Sequence, residues 1–582
     1  MNLKSKKNNI CFFAEIAAVI FWLARMRNSD AYYPPYLFPG GMGIFCALLR
    51  ITGKAKTYGM PKKIDRIAAG ILSACFSCAA AAANYPLFET IWDVPSLLLC
   101  LTGGFFAGWN LLLVLGSYED AIRKLLFSGK AASPKSVFFF SASIIALIDG
   151  TVLFAAKYPG LLTEDSVSQI EQLMTGVYSN HHPFYHTMII KGCIGLGLKL
   201  FGEINAAVAL YSVFQILVMA CTFGYVTATL SRMGLSKVLI VLFAAWYALL
   251  PCHILYSMTM WKDILFGSAV TCFLVTLFRM LKKIGNRSAA MWVLLVVSGL
   301  GSCLLRSNGW MTFAVSALLF CVLFFRKEKQ LCLVFLGILL VSFIAKGPVL
   351  NALSVSKTDT IESLSIPAQQ IARVIDEDKD GLTAEQRALL DRIIDVDHVH
   401  TYYAEFISNP IKDLVRATGD QEYLKTHRKE YLKLYLELGL SHPKQYFEAW
   451  VEETKGYWNS GYDYWIAAEY MPENDYGIRS AVRSETLLSL VNRYEHVFRG
   501  WKIFQIFESI GFHMWMTAVF LFVSFLRRNK EAFFLFLPVV FYLGTLLIAT
   551  PVFAEFRYIY AVFCIFPFLA VSPFYEKRVE NG

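Results

Sequence analysis

Four short charged segments adjoin long apolar runs and carry the residue types best suited to chemistry. They are residues 163–166 (TEDS), 261–263 (WKD), 306–309 (RSNG) and 555–558 (EFRY). Charges at the ends of apolar runs cost free energy unless they are paired or used in a site. A carboxylate that faces three cationic groups suits the transfer of a group from a phosphate-linked lipid. The cations would bind the phosphate, and the carboxylate would accept a proton.

Each segment also has a structural explanation. Glu164 and Asp165 suit a solvated loop or the first turn of a helix, where carboxylates are favoured. Lys262, Arg306 and Arg557 suit contacts with lipid headgroups at the ends of membrane spans. Ion pairing within the second and fourth segments is a further explanation. The case for a site depends on all four segments lying on one face of the molecule.

The apolar runs decide the class of protein. The chain has 582 residues, of which 56% are hydrophobic and 17% are charged. A soluble globular protein has about a quarter of its residues charged. The apolar runs reach the length of about 17–25 residues that crosses a bilayer core. These features exclude a soluble enzyme, a disordered protein and a secreted disulfide scaffold, and they predict an all-α polytopic membrane protein.

About fourteen transmembrane helices are predicted, and the basic loops between them set their orientation. They lie near 10–26, 37–50, 67–83, 94–117, 136–156, 206–230, 238–256, 263–281, 289–305, 310–325, 331–350, 511–526, 532–549 and 557–574. The connections 54–66 and 123–135 are rich in Lys and Arg, whereas 84–93 has neither. The positive-inside rule therefore predicts a cell-membrane protein with both termini in the cytoplasm.

The apolar stretch 187–203 is predicted not to span the membrane. It is short and rich in glycine, and it carries Lys191 and Lys199. A helix lying on the outer interface fits this amphipathic composition. If it spanned, Arg232 and Lys237 would fall outside and every later loop would invert.

The charge distribution predicts a separate extracytoplasmic block. Residues 351–505 hold 18 Lys and Arg against 25 Asp and Glu, whereas the rest of the chain holds 36 against 19. An acidic block and a basic membrane part fit the positive-inside rule better than a nucleic-acid partner. The block reads as mainly helical, with Thr383 and Ser441 as helix starts. Four units are predicted: a four-helix extension 1–135, a membrane core 136–350 with an external loop 157–205, the block 351–505, and three last spans in 506–582.

The order and sidedness of the motifs resemble a known family. The acidic loop is followed by a His-Pro element at 181–185 (HHPFY) and an interfacial helix that ends in Leu-Phe-Gly at 200–202. The Lys-Asp, Arg-x-Asn-Gly and Glu-x-Arg-Tyr motifs then follow in turn. This pattern resembles the GT-C superfamily of integral-membrane glycosyltransferases, which includes protein O-mannosyltransferases and the aminoarabinose transferase of lipid A. The resemblance covers about 136–350 and 505–574, and the chain departs from the family by four extra spans before the acidic loop.

The resemblance implies transfer of a sugar from a polyprenyl-phosphate donor to an extracytoplasmic, cell-envelope acceptor. Asp165 would be the general base that deprotonates the acceptor hydroxyl, with Glu164 in reserve. Glu555 would orient Arg557, and His182 would touch the sugar or phosphate unless its role is structural. Three cations would hold the lipid phosphate and stabilise its charge as it leaves: Lys262, Arg306 and Arg557. The resemblance implies no cofactor, and no residue of this site is assigned as a metal ligand. The sequence does not decide whether a divalent metal takes part.

Other readings of the sequence remain open. The alternatives are a transporter or flippase for envelope lipids or polymers, a sugar polymerase or ligase, and a non-catalytic assembly or sensor protein. Residues 376–381 begin like a calcium-binding EF-hand loop, but Arg387 stands where the bidentate Glu should be. Residues 397–400 (DHVH) suit either a metal or a solvated turn. The aromatic segment 457–465 suits either stacking on sugar rings or anchoring at the membrane interface.

Overall fold

The computed structural model describes residues 3–26, 33–51, 60, 62–128, 132–462, 464–466, 471–501 and 503–576. These residues form α-helices without β-strands, apart from isolated bridges. Some charged residues of the predicted connections, of the aromatic segment 457–465 and of the unit 506–582 lie outside the described part of the chain: Lys54, Lys56, Lys130, Asp463, Lys577 and Arg578.

The first four helices form an N-terminal bundle within the predicted unit 1–135. They are α1 (Leu3–Met26), α2 (Tyr33–Ile51), α3 (Lys63–Ala83) and α4 (Val94–Leu126). Small residues let α4 approach its neighbours closely, as is typical of membrane helix pairs. A Cβ added at Gly103 would lie 2.2 Å from the carbonyl oxygen of Ala18 in α1. A Cβ at Gly43 in α2 would lie 2.7 Å from the Cα of Ala107.

The next eleven helices build the membrane core and its external loop. They are α5 (Pro134–Ala155), α6 (Glu164–Thr175), α7 (Phe184–Phe201), α8 (Ile204–Arg232), α9 (Lys237–Leu249), α10 (Pro251–Met258), α11 (Lys262–Leu281), α12 (Ala289–Leu304), α13 (Ser307–Phe324), α14 (Lys329–Ile344) and α15 (Leu350–Ala352). A π-helical turn, Ala345–Val349, joins the last two. Helices α9 and α10 meet at a bend of 52°. Pro251 accounts for this bend because it has no N–H to continue the helix.

The acidic block folds into eight helices with a core of its own. They are α16 (Ser365–Asp378), α17 (Ala384–Leu390), α18 (Val399–Tyr402), α19 (Asn409–Thr418), α20 (Gln421–Thr426), α21 (Arg428–Ser441), α22 (Pro443–Trp458) and α23 (Glu485–Gly500). Its buried core draws residues from α16 to α22. Thr383 caps α17, as predicted. The predicted cap at Ser441 is wrong: this residue ends α21, and His442 precedes Pro443 at the start of α22.

Three helices complete the membrane part: α24 (Ile510–Leu526), α25 (Lys530–Ile548) and α26 (Phe556–Val571). Helix α26 is buried along almost its whole length and packs against α8, α11 and α24. The contact with α11 is close at Gly267, where an added Cβ would lie 3.1 Å from Cys564 Sγ. The last helix of the chain therefore lies at the centre of the fold.

The described helices confirm the prediction of an all-α, multi-pass membrane protein. Nine segments are long and apolar enough to cross a membrane, or ten if the bent pair α9 and α10 is a single span. Helices α12 and α24 are apolar but shorter, and α1, α2 and α7 are not among these candidates. The total of about fourteen spans and the extracytoplasmic placement of 351–505 stay predictions.

Candidate functional site

A tight turn delivers Asp165 to its place at the start of α6. Gly160 lies in this turn with φ +133°, a backbone conformation that residues with a Cβ rarely adopt. A Cβ at this position would also lie 2.2 Å from Ser212 Oγ and 3.0 Å from the carbonyl oxygen of Met258. The sequence Pro159-Gly160 therefore does more than end α5, since only glycine fits here.

The start of α6 is bound to the chain that leads into α11. The backbone N–H of Met260 donates to the carbonyl oxygen of Leu161 at 2.9 Å. The indole N–H of Trp261 donates to Thr163 Oγ1 at 2.8 Å, and the hydroxyl of Ser166 donates to the carbonyl oxygen of Met260 at 2.9 Å. These bonds place the first turn of α6 beside the first turn of α11.

A buried polar network holds the body of α6 against α7 and α8. Gln169 donates to Thr187 Oγ1 at 2.8 Å, and its Oε1 lies 3.1 Å from His186 Nδ1. The other ring nitrogen of His186 lies 2.8 Å from the hydroxyl of Tyr211, which donates to Gln215 Oε1 at 2.9 Å. Buried networks whose groups are paired make a structure rigid. Asp165 is therefore carried on a fixed helix.

Asp165 contacts two cations and a histidine. Its Oδ2 lies 2.7 Å from Arg557 Nη1, 3.3 Å from Lys262 Nζ and 3.8 Å from His182 Nδ1. Burial raises the pKa of Asp165, but the charges of Arg557 and Lys262 outweigh burial and hold the pKa well below its usual range. Burial, followed by the nearby Lys262 ammonium, lowers the pKa of His182 to about 3. The structure thus presents an ionised carboxylate beside a neutral imidazole.

Glu555 contacts Arg557 in the geometry expected of an orienting residue. The guanidinium Nε donates to Glu555 Oε2, and Nη2 lies 3.2 Å from Oε1. The Cζ atom of Arg557 lies 4.9 Å from the ring centroid of Trp261, a cation–π distance. Glu555 on one edge of the guanidinium and the ring of Trp261 on its face together fix its orientation, so that Nη1 points at Asp165.

Arg306 is paired differently from Arg557. It is almost completely buried, and its Nη1 donates to Asp263, whose side chain is 1% exposed. Its Cζ atom also lies 4.9 Å from the ring centroid of Tyr558. The neighbours Lys262 and Asp263 therefore do not pair with each other: one contacts Asp165 and the other contacts Arg306.

Four helix N-termini converge on this cluster. Asp165 is the second residue of α6 and Lys262 is the first of α11, while Arg306 and Glu555 immediately precede α13 and α26. A helix N-terminus carries a partial positive charge and free N–H groups. The convergence therefore adds to the attraction of the cationic side chains for an anion.

A cavity of about 830 Å³ opens above this cluster. All but one of the predicted site residues line it: Asp165, His182, Lys262, Arg306, Glu555 and Arg557. Glu164 is the exception, because it is exposed and is not among the lining residues. The six lining residues come from segments up to 392 positions apart, and the fold brings them together.

The acidic block forms the opposite wall of the cavity. Lys412 is almost fully buried there and donates to Glu362 at 3.1 Å and to the carbonyl oxygen of Pro551 at 2.7 Å. Arg416 pairs with Asp359 at 3.2 Å and also lines the cavity. Sequence reasoning missed this wall, because charged residues in a polar block resemble ordinary solvated surface. The only signal was the dense mixture of both charges.

A model of one protein family, described as a family of unknown function (DUF6020), matches residues 173–582. The chain belongs to the DUF6020 family. The match begins within α6, after Asp165, and includes His182, Lys262, Arg306 and Arg557. No curated protein matches the chain, and no solved structure matches it.

The other segments singled out in this DUF6020 protein pair within themselves or with near neighbours. The described residues bring together no group of three or more His, Cys, Asp or Glu side chains suited to a metal ion. Asp376 lies 2.6 Å from His400 Nδ1, and Asp397 pairs with Arg387 at 2.8 Å. In the aromatic segment, Tyr457 is fully buried, whereas Trp465 is half exposed.

Proposed function

We propose that the protein is a membrane glycosyltransferase that moves a sugar from a polyprenyl-phosphate-linked donor to a hydroxyl of a cell-envelope acceptor. The observation that carries the proposal is an ionised carboxylate, Asp165, held between Arg557 and Lys262 in a large cavity. The cavity volume lies within the range of about 300–1,000 Å³ typical of ligand sites. The resemblance to GT-C enzymes supports the same reaction.

The donor phosphate binds where Asp165 now pairs. Arg557 and Lys262 offer guanidinium and ammonium donors, and the N-termini of α11, α13 and α26 face the same space. Arg306 is the least accessible cation, because Asp263 already neutralises it. Arg306 acts on the phosphate only through its charge, whereas Arg557 and Lys262 contact the phosphate directly.

Donor binding also activates the base. In the free protein the cations hold the pKa of Asp165 low, so its carboxylate is a weak base. An arriving phosphate also pairs with Arg557 and Lys262. These cations then stabilise the ionised form of Asp165 less, so the proton affinity of its carboxylate rises. The base therefore becomes effective only when the donor is in place.

The transfer step balances in atoms and charge. The acceptor oxygen attacks the anomeric carbon while its proton passes to Asp165, and the bond between that carbon and the phosphate oxygen breaks. The electron pair leaves with the phosphate, which gains one negative charge. Arg557 and Lys262 stabilise that added charge, so they act most strongly in the transition state. Attack from the face opposite the phosphate inverts the anomeric centre.

The proposed placement follows from the loop charges and the position of the cavity. The protein lies in the cell membrane with both termini in the cytoplasm, about fourteen spans, and residues 351–505 outside. The cavity then lies between the outer membrane surface and the block, where lipid-linked donors and envelope acceptors can both reach it.

A transporter of envelope lipids is the second candidate. It is favoured by the 52° bend between α9 and α10 and by Asp149, which is buried within the candidate span α5. Transporters use broken helices and buried ionisable residues to build a substrate path. Transfer chemistry and transport differ in their products, so one assay separates them.

The test is release of polyprenyl phosphate from a labelled lipid-sugar pool by the purified full-length protein. Release by the wild type and its loss in Asp165→Asn support the proposal. Asp475→Asn is the matched control, since Asp475 is exposed and does not line the cavity. Movement of intact lipid-sugar between leaflets without release would favour the transporter, and equal release by wild type and Asp165→Asn would remove the assigned base.

A further inference from the structure

Three leucines on α21 are exposed although this helix belongs to the block outside the candidate spans. Leu432, Leu436 and Leu440 are 59%, 54% and 84% exposed. Their spacing of four residues places them on one side of the helix, which we name the leucine face. The other side of α21 carries Leu434 and Leu438, which are buried in the core of the block. A helix with apolar residues on both sides has one side suited to a further partner.

The leucine face belongs to a helix pair that contacts the end of a candidate membrane span. Helix α21 packs on α22 through Tyr435 and Tyr446, whose ring centroids are 5.1 Å apart. The indole N–H of Trp450 in α22 donates to the carbonyl oxygen of Leu547, in the last turn of the candidate span α25. Pro443, at the start of α22, lies seven residues earlier, which is about 10 Å along the helix axis. Headgroups occupy roughly the first 5 Å beyond a bilayer's hydrocarbon core.

Further exposed apolar side chains surround the same junction. Ile548 follows Leu547 directly and is exposed, and Phe447 lies one turn before Trp450. Phe406 is exposed as well, two residues before Ser408, whose backbone N–H donates to the carbonyl oxygen of Val552 just beyond α25. Exposed apolar side chains therefore occur on both sides of the junction between the block and the span, as well as on the leucine face.

Basic side chains flank the leucine face. Lys429, Lys433 and Lys444 are exposed on α21 and at the start of α22. Lys433 lies 3.5 Å from Glu437 and Lys444 lies 3.7 Å from Glu448, so two of these charges are partly neutralised and Lys429 has the freest charge of the three. An apolar face with flanking lysines is the pattern of a helix that lies on an anionic membrane surface.

We infer that the leucine face of α21 binds the surface of the lipid bilayer, with its lysines on anionic phospholipid headgroups. The contact seats the acidic block on the membrane beside the cavity that the block covers. It goes beyond the proposed transferase activity and does not depend on it, because lipid contact is measurable without turnover.

Photo-crosslinking of the full-length protein in lipid nanodiscs tests this contact. Benzoylphenylalanine in place of Leu440 should form adducts with the phospholipid, detected by mass spectrometry. The same group in place of Glu385, an exposed residue of α17, is the matched control and should form few. Both positions are exposed, so neither replacement threatens the core. A crosslinked dimer of the chain, or a lipid yield at Leu440 no higher than at Glu385, would overturn the inference.

Two further arms identify the chemistry of the contact. Leu432→Glu with Leu436→Glu should lower the adduct yield at Leu440 by about tenfold or more, because burial of one leucine alone shifts a partition by that factor. In nanodiscs that mix phosphatidylglycerol with phosphatidylcholine, phosphatidylglycerol should be enriched among the adducts. Lys429→Gln with Lys444→Gln should abolish that enrichment. An unchanged yield in the leucine variant, or no preference for phosphatidylglycerol in the parent, would contradict the proposal.

Discussion

Replacement of Asp165 by asparagine should separate turnover from donor binding. The change nearly preserves shape and removes the carboxylate that contacts both Arg557 and Lys262. General-base catalysis contributes about 10²- to 10⁴-fold, so turnover should fall by at least about 10²-fold. Arg557 keeps its contact with Glu555, so the phosphate site should survive.

Donor affinity should move in the opposite direction. In the wild type the phosphate must compete with Asp165 for its cations. A hydrogen bond to a charged group contributes about 1.5–3 kcal/mol, so removal of this competitor should tighten donor binding by up to about 10- to 150-fold. A purely structural role for Asp165 would weaken binding and turnover together.

The assay combines release of polyprenyl phosphate with equilibrium binding of the labelled lipid-sugar. Glu164→Gln is the control on the same helix, since Glu164 is exposed and does not line the cavity. If Glu164→Gln abolished turnover while Asp165→Asn kept it, the base would be Glu164. Unchanged turnover in both variants would refute the mechanism and strengthen the transporter alternative.

Four more outcomes follow from the structure. The pKa of Asp165 lies well below its usual range because Arg557 and Lys262 favour the ionised form, so the acid limb of kcat/KM should lie below the ordinary titration range of an aspartate. The acid limb of kcat should lie at higher pH, because phosphate then occupies the two cations; coincident limbs would contradict donor-coupled activation. Arg557→Ala should lower donor turnover by about 10- to 150-fold, and Arg557→Lys should restore part of it, because Lys lacks the planar fork; equal turnover in wild type and the alanine variant would refute the phosphate assignment. Gly160→Ala should lower thermal stability and turnover, because its Cβ would lie 2.2 Å from Ser212 Oγ; a melting temperature equal to that of wild type would show that the turn is not needed. A cysteine at Glu385, in a block without native cysteine, should react with an impermeant thiol reagent in intact cells; reaction only after lysis would overturn the orientation.

Much of the fold could be predicted because the length of an apolar run in the sequence directly predicts the length of the helix that it forms. Each predicted span lies on a helix, although only nine or ten of these helices meet the length and apolarity of a candidate span. The bend at Pro251 could not be placed, since a proline in an apolar run either kinks a span or ends it. The number of spans is therefore less certain from sequence than the class of protein.

The sequence was enough to predict which residues form the cluster around Asp165, but not which of them pair with one another. The sequence indicated that Asp165, Lys262 and Arg557 share a face, because each adjoins the outer end of an apolar run. It could not decide which carboxylate each cation contacts, since neighbours such as Lys262 and Asp263 point to different partners. The wall contributed by the block depends on tertiary packing alone.

The central place of α26 has a consequence for biosynthesis. Asp165 leaves the ribosome 392 residues before Arg557, and at about 5–20 residues per second this interval lasts about 20 to 80 seconds. During that time Lys262 is the only one of its two cations that the nascent chain can supply. The helix that completes the cluster is also the one that fills the middle of the bundle. The same helix therefore supplies Arg557 to the proposed phosphate site and fills the middle of the bundle, so both depend on its insertion.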